Sequence, residues 1–146
     1  WPGSSHVDPR TLAGLLAEIL APYRETLAVD WQGPSALAVR ADREALRKVL
    51  LNLVENAREA MEGAGRLEVS IAAEAGRAEL TLRDHGTGIA EEARGRLFEP
   101  YFSTKTRGTG LGLAISAQLV EEMGGRLRLD NHPAGGAVAR LSLPAG

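Results

Sequence analysis

From Asp42 onward, Leu46, Val49, Leu50, Leu53, Val54, Ala57 and Met61 recur at three- and four-residue intervals until Gly63 and Gly65 break the pattern. That spacing draws one apolar stripe along a helix, with Asp42 as its N-cap, and such a stripe must be covered by a second apolar layer. The layer follows at once. Leu67, Val69, Ile71 and Ala73 alternate with polar or small neighbours, Gly76 offers a turn, and Ala78, Leu80 and Leu82 alternate again, which predicts two neighbouring strands. With 146 residues, 44% of them hydrophobic and 25% charged, helix and strands belong to one domain.

Around this centre, residues 1–6 read as a linker or expression remnant and 7–146 as the domain. Asp8-Pro9 predicts an N-cap and a first-turn proline for a helix carrying Leu12, Leu15, Leu16, Ile19 and Leu20. Thr26 to Arg40 holds two strand-like runs broken by Gly33-Pro34, a predicted hairpin. A third helix is expected from about Leu111 to Met123, stopped by Gly124-Gly125, and two strands, Arg126 to Asp130 and Ala137 to Leu143, close the chain. Between His85 and Arg107 all periodicity fails. An irregular stretch longer than about 15 residues is usually functional or disordered, and this one is expected to be a lid.

Seventeen Lys and Arg stand against nineteen Asp and Glu, a net charge of −2, which speaks against a nucleic-acid or anionic-membrane partner. The absence of cysteine excludes a disulfide scaffold, a thiolate zinc site and a thiol nucleophile. No apolar run approaches the roughly 20 residues that cross a bilayer, and Trp1 to His6 lacks the features of a secretory signal, so a soluble piece is expected. His6, His85 and His132 lack metal-ligand spacing, and no Ser/His/Asp triad is legible.

Four clusters could carry chemistry. Asn52 and Asn56 lie a turn apart beside the apolar stripe, where an amide needs partners: either they cap neighbouring backbone or they build a polar site. Glu55 and Glu59 share that spacing and read as a solvated face. Continuing the alternation of Ala78, Leu80 and Leu82 turns Asp84 inward as the chain enters Gly86-Thr87-Gly88. A partly buried carboxylate needs a donor, which a purine amine or its own turn could provide. Gly108-Thr109-Gly110-Leu111-Gly112 opens the third helix, whose free N–H groups suit a phosphate; without a ligand it is a glycine-rich turn. It lacks the Lys-Ser/Thr of a P-loop and the last glycine of the dinucleotide fingerprint. Lys105 and Arg107 precede it, placed for terminal phosphates or for plain surface. Phe98, Tyr101 and Phe102 gather in the lid of a chain with only 4% aromatics, as a satellite cluster or as an exposed patch for another domain.

In order, Leu51-Asn52-Leu53-Val54-Glu55-Asn56-Ala57, Asp84-His85-Gly86-Thr87-Gly88-Ile89, Leu97-Phe98-Glu99-Pro100-Tyr101-Phe102-Ser103-Thr104-Lys105 and Gly108-Thr109-Gly110-Leu111-Gly112-Leu113-Ala114-Ile115 resemble four boxes of one family. That family is the catalytic, ATP-binding domain of bacterial sensor histidine kinases, and Asn56 to Met61 is most similar to the nitrogen-regulation-like subgroup. The resemblance implies an α+β fold: a two-layer α/β sandwich (the Bergerat fold of gyrase-type ATPases and Hsp90) with a mixed sheet, about three helices on one face and a flexible ATP lid.

It also implies roles. Asn56 would coordinate magnesium, with Asn52 facing the phosphates or the metal. Asp84 would accept from the adenine amine, with Gly86, Gly88 and Ile89 shaping that pocket. Gly108, Thr109, Gly110, Leu111 and Gly112 would close over the phosphates, and Lys105, with Asn52 one of two implied catalytic residues, would reach the terminal phosphate. Phe98, Tyr101 and Phe102 would meet the partner domain. The implied activity is magnesium-dependent transfer of the γ-phosphoryl group of ATP to a histidine on a separate dimerisation and phosphoacceptor domain, with a response regulator as an indirect partner. The implied setting is cytoplasmic, even where the parent protein is membrane-anchored, with no membrane contact by this domain. The phosphoacceptor is expected elsewhere, because His6 is followed by Val7 rather than by an acidic residue, and neither His85 nor His132 has that context.

Three departures stand out. Glu59 replaces a lysine that many relatives carry, leaving phosphate charge to Arg58, Lys105 or Arg107; His85 replaces the usual Asn; Ala137 replaces a frequent Thr near the adenine. Rival readings are an ATPase or nucleotide-dependent switch of the same superfamily, a serine kinase of the anti-sigma type, and a scaffold that only binds ATP. The first two usually carry Glu where Asn52 stands, and an asparagine cannot serve as a general base near neutral pH.

Overall fold

A computed structural model describes residues 11–34, 37–90, 96, 98–99 and 112–145. The central helix forms where the stripe requires it. In α2 (Arg43–Ala60), the Asp42 side chain accepts from the Glu44 N–H at 3.0 Å, and Leu46, Val49, Leu50, Leu53, Val54 and Ala57 are buried. Their apolar face lies on a five-stranded sheet of order β1-β2-β3-β5-β4, comprising β1 (Leu27–Gln32), β2 (Gly65–Glu74), β3 (Arg77–Asp84), β4 (Arg126–Asn131) and β5 (Ala137–Pro144). Only β1 and β2 run parallel, as they must when α2 connects them; the other pairs are antiparallel.

Two further helices, α1 (Leu12–Leu20) and α3 (Gly112–Glu122), complete the helical layer. Leu12, Leu16, Leu50, Val54, Val120, Leu67, Ile71, Leu80, Leu141 and Leu143 meet in one core between the layers. Each such side chain stabilises the fold by about 1.5–3 kcal/mol on burial. The opposite face of the sheet carries the alternate, largely charged residues. This is the two-layer α/β sandwich with a mixed sheet and three α-helices on one face.

Two expectations are corrected. The first helix is capped by Thr11, whose hydroxyl accepts from the Gly14 N–H at 3.0 Å; Asp8 and Pro9 lie outside the described residues, as do residues 1–6. The predicted hairpin over Thr26 to Arg40 is absent among the described residues. Instead β1 pairs in parallel with β2, Leu27 opposite Gly65, while Val39 makes a single bridge to Ala145. The reason is visible at Gly33 (φ +102°), where a Cβ would lie 1.8 Å from the Ile71 carbonyl oxygen. The chain is pressed across β2 there instead of reversing beside β1. Of the predicted lid, only 85–90, 96, 98 and 99 are described, and Phe98 is half-buried in a turn.

Candidate functional site

The inward parity of β3 runs Ala78, Leu80, Leu82 and then Asp84, so the strand ends on a carboxylate only 6% exposed. Its Oδ1 accepts from the Gly86 N–H at 2.9 Å and the Ala137 N–H at 3.1 Å. The β3–β5 ladder ends at Arg83 and Val138, and the Asp84 side chain takes the next N–H that the ladder would have used. Two backbone donors offset much of the cost of burying the charge. Both fall on Oδ1, so among the described residues Oδ2 is left for another donor. The close approach depends on Gly136 (φ +77°), where a Cβ would lie 2.0 Å from the Asp84 carbonyl oxygen.

The chain leaving Asp84 is held on both sides. At Gly86 a Cβ would meet the Ala60 carbonyl oxygen at 2.3 Å, so the loop rests against the last turn of α2. Gly88 has φ +81°, a conformation that favours glycine. Next to it, Asn131 at the end of β4 accepts from the Ile89 N–H through Oδ1 at 2.6 Å and donates through Nδ2 to the Ile89 carbonyl at 3.0 Å. A single amide thus satisfies both backbone groups of Ile89, as a neighbouring strand would.

Asn52, Asn56 and Ala60 repeat every four residues on α2 and therefore share a face that spans about 12 Å at 1.5 Å per residue. Gly86 abuts the Ala60 end. Gly112, the first residue of α3, abuts the other, where a Cβ would lie 2.6 Å from Asn52 Oδ1. Asn52 also donates through Nδ2 to Ser116 Oγ at 3.1 Å, which ties α2 to the first turns of α3. The result is a track along α2 with a carboxylate and a glycine loop at one end and a helix N-terminus, a natural anion site, at the other. Half-buried Asn56 lies between them.

The structure therefore brings Asn52, Asn56, Asp84, Gly86, Gly88, Ile89 and Gly112 to one helix face and its two ends. Lys105, Gly108, Thr109, Gly110, Leu111, Tyr101 and Phe102 lie outside the described residues. Sequence reasoning missed Asn131, Gly136 and Ser116. The run Asn131-His132-Pro133-Ala134-Gly135-Gly136 signalled a turn between strands, but nothing local indicates that Asn131 reaches Ile89. Glu55 is more than a solvated face, since it accepts from the Tyr23 hydroxyl and pairs with Arg58 at 3.4 Å. That hydrogen bond, with burial and the negative charge of Glu55 adding to it, raises the Tyr23 phenol above its ordinary value of 10.0.

Comparison with known proteins gives a consistent outcome. Residues 41–146 match the family described as histidine kinase-, DNA gyrase B-, and HSP90-like ATPase. The nitrogen regulation protein NtrY of Azorhizobium caulinodans is 41% identical over 80% of this chain and 16% of its own length. The C4-dicarboxylate transport sensor protein DctB of Pseudomonas aeruginosa is 44% identical over 75% of this chain and 19% of its own. The chain thus spans less than a fifth of either relative. Among solved structures, the nucleotide-free catalytic domain of histidine kinase ThkA superposes with a TM-score of 0.81 at 31% identity, covering 92% of both chains. Full-length ShkA in complex with AMPPNP gives 0.77 at 30% identity, covering 98% of this chain and 32% of that one.

Proposed function

Because the chain belongs to the histidine kinase-, DNA gyrase B-, and HSP90-like ATPase family, we propose that it binds ATP with magnesium along α2 and passes the γ-phosphoryl group to a histidine on a separate domain of a sensor histidine kinase. The observation that carries this reading is Asp84, a buried carboxylate whose Oδ1 is held by two backbone N–H groups while Oδ2 remains to accept from an adenine amine. Gly86, Gly88 and Ile89 would let the flat base lie close to the main chain. The phosphates would run along α2 toward Gly112, where the α3 N-terminus favours negative charge. The similar structure of full-length ShkA in complex with AMPPNP supports a triphosphate ligand for this fold.

Asn56, with Asn52 a turn earlier, offers the neutral hard oxygen that magnesium accepts, and the ion needs few protein ligands because it keeps waters and substrate phosphates. When bound, magnesium neutralises charge on the transferring phosphates. The chain's own contribution is positioning: Asp84 orients the base and thereby the triphosphate, Asn52 and the α3 N–H groups hold its far end, and Lys105 and the glycines of 108–112 close over it. Asn52 is fixed by Ser116 and has no basicity with which to deprotonate water, which favours transfer over hydrolysis and over the anti-sigma type of serine kinase.

Calorimetry with a non-hydrolysable ATP analogue and magnesium tests the base assignment. Asp84→Ala removes a charge-assisted hydrogen bond of about 1.5–3 kcal/mol, so affinity is expected to fall by roughly 10- to 150-fold. Equal affinity in both proteins overturns it. For the transfer step, labelled ATP is mixed with the chain and the phosphoacceptor helices of its parent kinase: label on the acceptor is expected, and rapid phosphate release without acceptor would favour the hydrolase.

A further inference from the structure

The face of the sheet turned away from the helices is rich in charge, but its two halves differ. On the β1–β3 side most of the cations are paired: Arg66 pairs with Asp30 at 3.4 Å, and Arg83 with Glu68 at 3.1 Å, with His85 on the same carboxylate at 2.7 Å. Arg77 is spent internally, donating to Ser142 Oγ at 2.7 Å and to the Gly124 carbonyl at 3.0 Å. On the β5–β4 side the matching stops. Arg126, Arg128 and Arg140 are exposed and make no ion pair or side-chain hydrogen bond among the described residues. Arg128 and Arg140 are direct cross-strand partners, an unfavourable arrangement of like charges. With Glu79 and Ser142 these arginines line a hollow of about 480 Å³.

A second, independent feature lies beside them. β4 is the last strand in the sheet order, so one of its edges has no strand partner among the described residues. An unpartnered edge can accept an extended segment through main-chain hydrogen bonds, with alternate side chains giving specificity. Arg126 and Arg128 are alternate residues of that edge strand, about 6.5–7 Å apart, the spacing of alternate side chains on an added strand.

We infer that β4 docks an extended acidic segment of another polypeptide, added as a sixth strand with carboxylates at alternate positions beside Arg126 and Arg128, on the face where Arg140 stands one strand further in. A nucleic acid fits less well, because its phosphodiester backbone has no peptide N–H and C=O groups with which to extend the unpartnered edge of β4. The inference does not rest on the nucleotide reading and stands or falls separately from it.

The test titrates isotope-labelled protein with a peptide alternating Glu and Thr over about ten residues, enough to span β4, against the same peptide with Gln for Glu and a single-stranded oligonucleotide of similar length. The Glu peptide is expected to shift amides of 126–131, to weaken with added salt, and to lose at least about tenfold in affinity in an Arg126→Ser, Arg128→Ser, Arg140→Ser variant that retains its melting temperature and ATP-analogue affinity. The Gln peptide should bind at least about tenfold more weakly. Equal affinity for the Glu peptide in the variant, shifts that bypass β4, or an oligonucleotide bound at least as tightly through the same arginines each overturns the inference. Should the triple variant misfold, Arg128→Ser alone is expected to show a smaller loss of Glu-peptide affinity, and no loss there overturns the inference.

Discussion

Replacing Asn131 by Ala would remove both hydrogen bonds that hold Ile89 while touching no atom proposed to contact nucleotide. Each such bond is worth about 0.5–1.5 kcal/mol, so the loop from Gly86 to Ile89 would lose roughly 1–3 kcal/mol of preference for its ordered form. If nucleotide binds only that form, affinity falls by the fraction of molecules in which it has been lost, with a ceiling of about 5- to 150-fold. Asn131 is exposed and outside the main core, so global stability should change far less than affinity. Calorimetry with a non-hydrolysable ATP analogue, paired with thermal denaturation, separates the two effects. Asn131→Asp keeps the acceptor for the Ile89 N–H but loses the donor to its carbonyl, and should fall between wild type and Asn131→Ala. Gly88→Ala provides a check from the other side, because its Cβ would lie 2.8 Å from Asn131 Oδ1 and push the amide away. An Asn131→Ala protein that binds within twofold of wild type, under conditions where Asp84→Ala loses binding, would refute the reasoning: the loop would then be held by the ligand rather than prepared for it.

Two further outcomes follow from single residues. Gly136→Ala places a Cβ 2.0 Å from the Asp84 carbonyl oxygen at φ +77°, and backbone strain plus displacement of the Ala137 N–H from Asp84 should destabilise the fold by about 2 kcal/mol or more. A thermal melt indistinguishable from wild type would show that the β3–β5 end yields freely. Tyr23→Phe removes the hydroxyl that donates to Glu55 and keeps the ring beneath Arg58, whose guanidinium carbon is 5.7 Å from its centre. The folded phenol titrates above the unfolded one, so its contribution of about 1 kcal/mol is fully present below pH 10.0 and is lost as pH rises through the folded value. Urea unfolding from pH 8 to 11 should therefore show the gap between wild type and Tyr23→Phe closing only in the alkaline limb; a gap that stays constant contradicts the Glu55 contact.

What could be read from the chain, and what could not, divides by the distance over which each feature is determined. The α2 stripe and the alternation of β2 and β3 are local periodicities that match the environment most of these residues finally meet, although Ala73 at the end of β2 is exposed, and Asp84 could be placed inward because parity carries two residues past Leu82. Alternation cannot name a partner. Leu27 to Gln32 alternates as any strand does, and its pairing with β2 instead of with a following run was decided by the α2 crossover and by the tight fit of Gly33 against Ile71. The site divides in the same way. Asn52, Asn56, Asp84 and the glycines announce themselves in short motifs because the chemistry needs several groups from one turn of chain. Asn131 and Gly136 act through contacts with Ile89 and Asp84 that exist only after β4 and β5 have docked on β3, and Ser116 acts only once α3 lies on α2. A single chain therefore reveals the groups that would meet a ligand more readily than those that hold them in place, since the supporting residues are chosen by tertiary fit and need no characteristic neighbours of their own. Asn131→Ala is informative for that reason: it asks whether a residue with no motif around it controls the affinity that the motifs advertise.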